Sequence, residues 1–427
     1  MLMLSAIFVF LVCVFLGLPI YFSFGVTATF TCIMGNLPLQ IIAQRLMIGM
    51  DSFVLLAVPG FILAGEIMCQ GGISKRIVDF CNALVGHFKG GLSMVAVLTG
   101  MIMGGISGSA VADTAAVASV LVPSMEKENY PKEFSAAVVG TAGPLGNIIP
   151  PSIPMVIYSM TSGLSLLDLF LAGYIPGVMI GFSLMAYCHF ISKKRGYGPT
   201  RSTAKFSWRN LIVTFKRSIL AILIPIVVVG GIVAGIFTPT ESSIIAVVYS
   251  LITAIHIYKD MNWAGMPRIL LASAKATSKL VIIMGAGSVF SYISINEGVP
   301  ELFSNFMLGI SNNKYVILIV LNLILLLAGC IIDILVATII FVPILIPLGQ
   351  ALALDPLHIA LLFVINMSIG LLTPPVGYSL YVSSIIADVP MERVALYSVP
   401  IVLVMIGILS LVTVFPQLTL FVPNLIH

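Results

Sequence analysis

Gly146-Asn147-Ile148-Ile149-Pro150-Pro151 and Gly370-Leu371-Leu372-Thr373-Pro374-Pro375 are two helix-breaking stretches inside otherwise apolar segments, separated by a fixed offset of 224 residues. The same offset, without a gap, aligns Gly105 with Gly329, Thr114 with Thr338, Pro123 with Pro347, Ala136 with Ala360, Ser159 with Ser383 and Pro176 with Pro400. Residues 105–176 and 329–400 each hold seven prolines, and four coincide where random placement gives fewer than one. The chain therefore contains an internal repeat. A duplicated apolar segment interrupted by Gly and Pro at matching places is the pattern of a secondary transporter, whose ligand sites lie where membrane helices are broken.

Composition agrees with a membrane solvent. The 427 residues are 59% hydrophobic and 8% charged, with a mean hydropathy of +1.16. A soluble domain carries about 25% charged residues, so an all-α polytopic membrane protein in a lipid bilayer is expected. The net charge of +4 comes from loop lysines and arginines and gives no reason to expect a nucleic-acid partner. Cys13, Cys32, Cys69, Cys81, Cys188 and Cys330 have no CxxC spacing and read as free thiols. The run Leu2–Leu16 lacks a basic flank and leads into more apolar sequence, so it reads as a first membrane helix and not a cleaved signal peptide.

Full-length apolar runs lie near 2–16, 18–34, 52–69, 168–191, 218–236, 241–258, 276–294 and 394–415. The runs 134–160 and 358–385 are long enough to span but carry the Pro-Pro breaks. The runs 92–123 and 315–347 are too long for one helix and fit hairpins that enter the membrane and return. The chain thus divides into scaffold helices of the first repeat (1–91), a first transport part with hairpin and broken helix (92–167), connecting and scaffold helices (168–314), a second transport part (315–393) and a C-terminal helix (394–427). The loop 192–217 holds eight Lys or Arg and no acid, which places it in the cytoplasm. Counting crossings from there puts 70–91, 124–133 and 259–275 inside, and 295–314 and 416–427 outside. The two repeats then run in opposite orientations, as an inverted repeat. Residues 199–216 fit either a basic amphipathic helix on the inner surface or a plain topology signal.

Four interruptions carry the chemistry. Hairpin one turns at Gly104–Ser109, opposite the break Gly143–Asn147; hairpin two turns at Gly329–Asp333, opposite Gly370–Thr373. Proline removes an amide donor and frees upstream carbonyls, which suit a small hard cation. Half-helix N-termini, each worth about +0.5 charge, suit an anion. The expectation is at least two Na+ ions, one per repeat, flanking an anionic substrate. Candidate cation ligands are Ser107, Gly108, Gly146 and Asn147 in the first repeat and Gly329, Asp333, Gly370, Thr373 and Val376 in the second. Candidate substrate contacts are Ser107, Ser109, Asn147, Pro150, Asp333, Thr373 and Pro375. Asp333 either coordinates a cation or locks its hairpin, and Asp113 either joins the site or caps backbone amides. Glu66 reads as structural and Glu241, after Thr238-Pro239-Thr240, as a helix cap. Trp208 and Trp263 read as interfacial anchors. The five histidines lie at segment ends without ligand spacing, so neither zinc nor a proton relay is expected.

These motifs, in this order, resemble the large membrane subunit of the TRAP (tripartite ATP-independent periplasmic) transporters. The carrying stretches are Gly104–Asp113 with its Ser-Gly-Ser, Gly140–Ser152, Phe237-Thr238-Pro239-Thr240-Glu241-Ser242 and Gly370–Gly377. The resemblance implies an elevator mechanism and Na+-coupled uptake of an organic acid of the C4-dicarboxylate or sialic acid class. It implies two partners, a periplasmic substrate-binding protein and a small four-helix membrane subunit, here expected as a separate polypeptide, in the bacterial inner membrane. The chain has no Walker A motif, so ATP is not its direct energy source. No intramembrane Arg offers itself as a carboxylate clamp. The alternative is a stand-alone Na+/carboxylate symporter or Na+/H+ antiporter of related inverted-repeat fold. Pore-lining charge rings for a channel, or a Ser/His or His/Asp/Glu constellation for an enzyme, are not seen.

Overall fold

The computed structural model describes residues 2–198 and 206–426, and among these the chain is helical with no strand. The first part comprises α1 (Leu2–Phe15), α2 (Ile20–Met34), α3 (Gln40–Met50), α4 (Ala57–Gln70) and α5 (Ile73–Val85). Next come α6 (Gly91–Ser107), α7 (Ala110–Lys127), α8 (Lys132–Ala142), α9 (Leu145–Ile148) and α10 (Ile153–Ser162). The middle holds α11 (Leu166–Arg195), α12 (Trp208–Val233), α13 (Pro239–Leu251), α14 (Met266–Asn296) and α15 (Val299–Ile310). The last part holds α16 (Lys314–Gly329), α17 (Ile334–Ala351), α18 (Pro356–Gly370), α19 (Tyr378–Ala387), α20 (Met391–Val414) and α21 (Gln417–Ile426).

The 224-residue offset read from prolines reappears in the helix boundaries. α7 and α17 are each 18 residues long and start 224 residues apart, as do the starts of α8 and α18. α10 and α19 follow their proline pairs with ten residues each. The repeats differ where one is continuous and the other bent. α3 and the segment leading through α4 form a pair bent by 58°, whereas their counterparts fall inside the single 31-residue helix α14. Similarly, Gly143-Pro144 divides α8 from α9, while α18 runs unbroken to Gly370.

Broken helices form the centre of the molecule. Every residue from Phe134 to Ala142 and from His358 to Gly370 is buried. Burial on every side means that protein, not lipid, surrounds these two helices. α19 packs on α7 and α8, and α10 packs on α17, so each repeat covers the broken helix or hairpin arm of the other. Tyr158 on α10 meets Phe363 on α18 with ring centroids 5.6 Å apart. A buried amide ladder ties three helices of the second repeat. Asn366 Nδ2 donates to Asn322 Oδ1 at 2.9 Å, and Asn322 Nδ2 donates to Thr413 Oγ1 at 2.9 Å.

Among the described residues, six helices are long and apolar enough to cross a membrane, or seven with the bent pair counted as one span. This is a multi-pass membrane protein. Several expected spans come out differently. The runs 2–16 and 18–34 are helices of 14 and 15 residues split at Gly17-Leu18-Pro19, shorter than full spans. The 315–347 run divides into α16 and α17, and α17 meets the length and composition of a span on its own. The expected C-terminal helix 394–427 is two helices, and the second, residues 417–426, packs on α11. Of the expected basic helix, residues 199–205 lie outside the described residues, and the remainder from Trp208 is the start of α12.

Candidate binding site

The first tip is built around a left-handed glycine. α6 ends at Ser107, and Gly108 (φ +62°) turns the chain while its amide donates to the Gly104 carbonyl at 3.1 Å. A Cβ at Gly108 would lie 2.9 Å from the Pro151 carbonyl oxygen, so the position needs glycine for conformation and for space. Hairpin one is therefore tighter than the sequence implied. Gly104, Gly105 and Ile106 stay helical, and only Gly108-Ser109 separate α6 from α7.

Asp113 is fully buried in the first turn of α7. Its Oδ1 accepts the Ser107 hydroxyl at 2.6 Å, and the Ser107 oxygen accepts the Ser109 amide at 3.1 Å. The carboxyl thus closes the tip by holding Ser107 and does not cap backbone amides, which corrects the capping option. Its Oδ2 is buried without a hydrogen-bond partner, as is the Asn147 amide nitrogen. A Cβ on Gly146 would start 2.9 Å from that Oδ2, so the free carboxyl oxygen faces the break in the opposing helix. The carbonyl of Asn147 is not free, because the Ser152 hydroxyl donates to it at 2.6 Å while capping α10. We expect Ser107→Ala to remove the donor to Asp113 Oδ1 and destabilise the fold by about 1–3 kcal/mol. Thermal unfolding in detergent, compared with wild type, checks this, and Ser107→Thr should recover most of the loss.

In the second repeat, Asp333 caps α17 through Oδ1, which accepts the Leu335 amide at 2.9 Å. The amide of Val376 donates to the Cys330 carbonyl at 3.3 Å, tying the segment after the Pro-Pro pair to the hairpin. Thr373 Oγ1 donates to the Ile369 carbonyl at 3.0 Å. In each repeat two glycines let hairpin and broken helix touch backbone to backbone. These are Gly104 with Gly146, and Gly329 with Gly370.

Both tips open on one cavity of about 250 Å3. It gathers Ser107, Gly108, Ser109, Asn147 and Asp333 of the predicted residues. Gly146, Gly329 and Gly370 sit at the helix contacts behind it, and Pro150 is buried with its carbonyl toward Gly105. Thr373, Pro375 and Val376 lie off this cavity, with Pro375 and Val376 exposed. The opposite wall comes from α4 (Ile62, Gly65, Glu66) and α14 (Ala276, Lys279, Leu280, Ile283). Glu66 and Lys279 were not singled out as site residues from sequence. The 3–4-residue spacing of small and apolar positions around each is the signal that places them on an inward stripe.

Outside the cavity, Glu241 completes a capping box with Thr238: its carboxylate accepts the Thr238 amide at 2.7 Å, and its own amide donates to Thr238 Oγ1 at 3.3 Å. The six cysteines are free. His358 lies in the first turn of α18, at a segment end as expected, and is buried there with Nδ1 3.1 Å from Thr419 Oγ1. Trp208 and Trp263 are exposed at helix starts.

Fold and site together define a helical, multi-pass membrane protein whose two repeats meet at a shared cavity with a few polar groups in an apolar lining. Residues 7–418 match the family described as Tripartite ATP-independent periplasmic transporter, DctM component, and the chain belongs to that family, one of transporters and not enzymes. It is 35% identical over 424 residues to the sialic acid TRAP transporter large permease protein SiaM of Vibrio cholerae, covering 99% of both chains. It is 36% identical over 425 residues to the C4-dicarboxylate TRAP transporter large permease protein DctM of Rhodobacter capsulatus, covering 96% of both. Among solved structures, the YdaH transporter of Alcanivorax borkumensis shares the fold with a TM-score of 0.58 at 11% identity, over 86% of this chain and 87% of that one.

Proposed function

We propose that this chain is the large membrane subunit of a Na+-coupled importer of an organic acid, in the bacterial inner membrane. The observation that carries the reading is the single cavity bounded by the tips of both repeats on one side and by α4 and α14 on the other. A ligand held there touches both repeats at once, as midplane sites of inverted-repeat carriers do. The hairpins α6–α7 and α16–α17 with the broken helices α8–α10 and α18–α19 form the mobile group. They slide as an elevator against a scaffold that includes α4 and α14. The relatives named for sialic acid and C4-dicarboxylate transport support a carboxylate substrate. A periplasmic binding protein delivers it, and a small four-helix membrane subunit completes the complex.

The donor set fits Na+. Ser107, Ser109, Asn147 and Thr373 offer neutral oxygens, and Gly108, Gly146, Gly329, Gly370 and Val376 offer carbonyls at helix ends. Asp333 lies at the second tip. Asp113 Oδ2, buried and unpartnered beside Gly146, adds a negative acceptor that a cation in the first repeat would satisfy. One net charge entering across 100 mV supplies about 2.3 kcal/mol for accumulation.

The test is uptake of labelled organic acids into proteoliposomes holding this chain and its small subunit, with and without Na+ and the binding protein. Uptake that needs both is expected. Uptake without the binding protein would move the chain to the stand-alone carriers, and uptake indifferent to Na+ would remove the coupling.

A further inference from the structure

α14 presents a lysine to the cavity from inside an apolar membrane-length helix. Ala276, Lys279, Leu280 and Ile283 form one stripe at helical spacing, and all four line the cavity that the hairpin tips share. Among the described residues Lys279 has no ion pair and no side-chain hydrogen bond, whereas the Arg76 guanidinium nearer the loops is paired with Asp260. Lys279 stands one turn inside the apolar run 276–294, and a charged side chain within a membrane segment is costly unless it is paired or faces water, so an unpaired one on a cavity wall suits a ligand of opposite sign. The tip residues that share the cavity, Ser107, Ser109, Asn147 and Asp333, bring hydroxyls, an amide and an acid, but no cation.

We propose that Lys279 supplies the positive charge that draws and binds the carboxylate of the transported acid. It acts from the scaffold wall while the hairpin tips hold the rest of the molecule. The inference rests on the transport reading for its substrate but not for its electrostatics. Glu66, on α4 in the same wall, is the other charged scaffold residue lining the cavity. Snorkelling to the cytoplasmic surface is the ordinary use of such a lysine. Lys275, one turn nearer the helix start and absent from the cavity wall, is the residue placed for that.

Two measurements decide the matter. In the full chain, Ala276→Cys places a thiol on the same stripe, and its modification rates by anionic and cationic thiosulfonates are compared with Lys, Gln or Arg at position 279. With lysine in place the anionic reagent is favoured. Lys279→Gln should lower the anionic-to-cationic rate ratio about tenfold, the effect of one uncancelled charge in a confined site. Lys279→Arg should keep the ratio, and Lys275→Gln should leave it unchanged. In proteoliposomes carrying the complete complex, with N-acetylneuraminate and succinate as the probe acids, Lys279→Gln should raise the half-saturating acid concentration about tenfold, the loss of a charge-assisted hydrogen bond. Half-saturating Na+ should move less than twofold, and Lys279→Arg should restore acid affinity. A rate ratio unmoved by Lys279→Gln overturns the inference whether or not uptake is seen. A lowered ratio with unchanged acid affinity overturns the substrate role as well. Absence of Na+-dependent uptake in wild type sinks the transport reading separately, and the rate ratio still decides whether Lys279 charges the cavity.

Discussion

Gly370→Ala is expected to abolish uptake and to lower the thermal stability of the purified protein, while Gly329→Ala at the facing position is tolerated far better. The asymmetry follows from where each Cβ would point. A Cβ on Gly370 would enter the Gly329 backbone, meeting its Cα at 2.5 Å and its carbonyl oxygen at 2.6 Å. A Cβ on Gly329 meets nothing nearer than the Gly370 Cα at 3.2 Å. Backbone cannot rotate away as a side chain can, so the first substitution must push the end of α18 off the end of α16. Both ends are packed: α18 is buried on every side from His358 onward, and the Asn366–Asn322–Thr413 ladder fixes its spacing to α16 and α20. Overpacking of a tight core costs about 1–3 kcal/mol, and a backbone-to-backbone clash belongs at the upper end. The first repeat gives the same contact with the roles exchanged. There a Cβ on Gly104 is the worse clash, and one on Gly146 meets the Gly104 Cα at 2.8 Å. Gly104→Ala should therefore be more damaging than Gly146→Ala. Gly407→Ala on α20, where a Cβ meets nothing within 4 Å, is the control and should behave as wild type. Melting curves in detergent together with uptake in proteoliposomes read the series. Equal tolerance at Gly370 and Gly407 would mean that the helix ends are not held together as described.

The legible part of this architecture was the part written in proline and glycine. Four coincident prolines fixed the offset, and the starts of α7, α8, α17 and α18 obey it because proline and the tip residues set where helices can begin. Helix lengths were less legible. An apolar run does not say whether it crosses the bilayer, and the Gly17-Leu18-Pro19 turn left two short helices where two spans were expected. The chemistry of the first tip was half legible. Ser107 and Asp113 are six residues apart, a spacing that brings them to no common face of one helix. They meet because Gly108 reverses the chain between them. Lys279 was hidden for another reason. It follows Lys275 by one turn and so reads as a loop-boundary charge, and only the packing of α14 against α4 and α17 puts it on the cavity wall. Sequence distance was the obstacle for Glu66 too, which shares a wall with residues more than two hundred positions away.

The remaining large effect concerns Na+. Asn147→Ala is expected to raise the half-saturating Na+ concentration for uptake about tenfold, the equivalent of about 1.4 kcal/mol in binding. The side chain sits 2% exposed at the break and lines the cavity, and its Oδ1 is the atom able to accept a cation. Alanine there takes away a polar group from the first repeat's proposed cation site while Ser152 still holds the Asn147 backbone carbonyl, so the break itself should survive. Thr373→Val tests the second repeat with nearly the same shape. Its hydroxyl is already engaged as a donor to the Ile369 carbonyl, which leaves its oxygen lone pairs for a cation. Valine should raise half-saturating Na+ by a smaller factor, because carbonyls at the end of α18 remain as ligands. With one ion per repeat, each single variant should also flatten the Na+ dependence of uptake, since one site then limits occupancy before the other. Measuring initial uptake rates against Na+ at saturating acid gives both the midpoint and the steepness. Unchanged midpoints in both variants would take Asn147 and Thr373 out of the cation sites and would shift the coupling ion to Asp113 and Asp333, the two acids held at the tips.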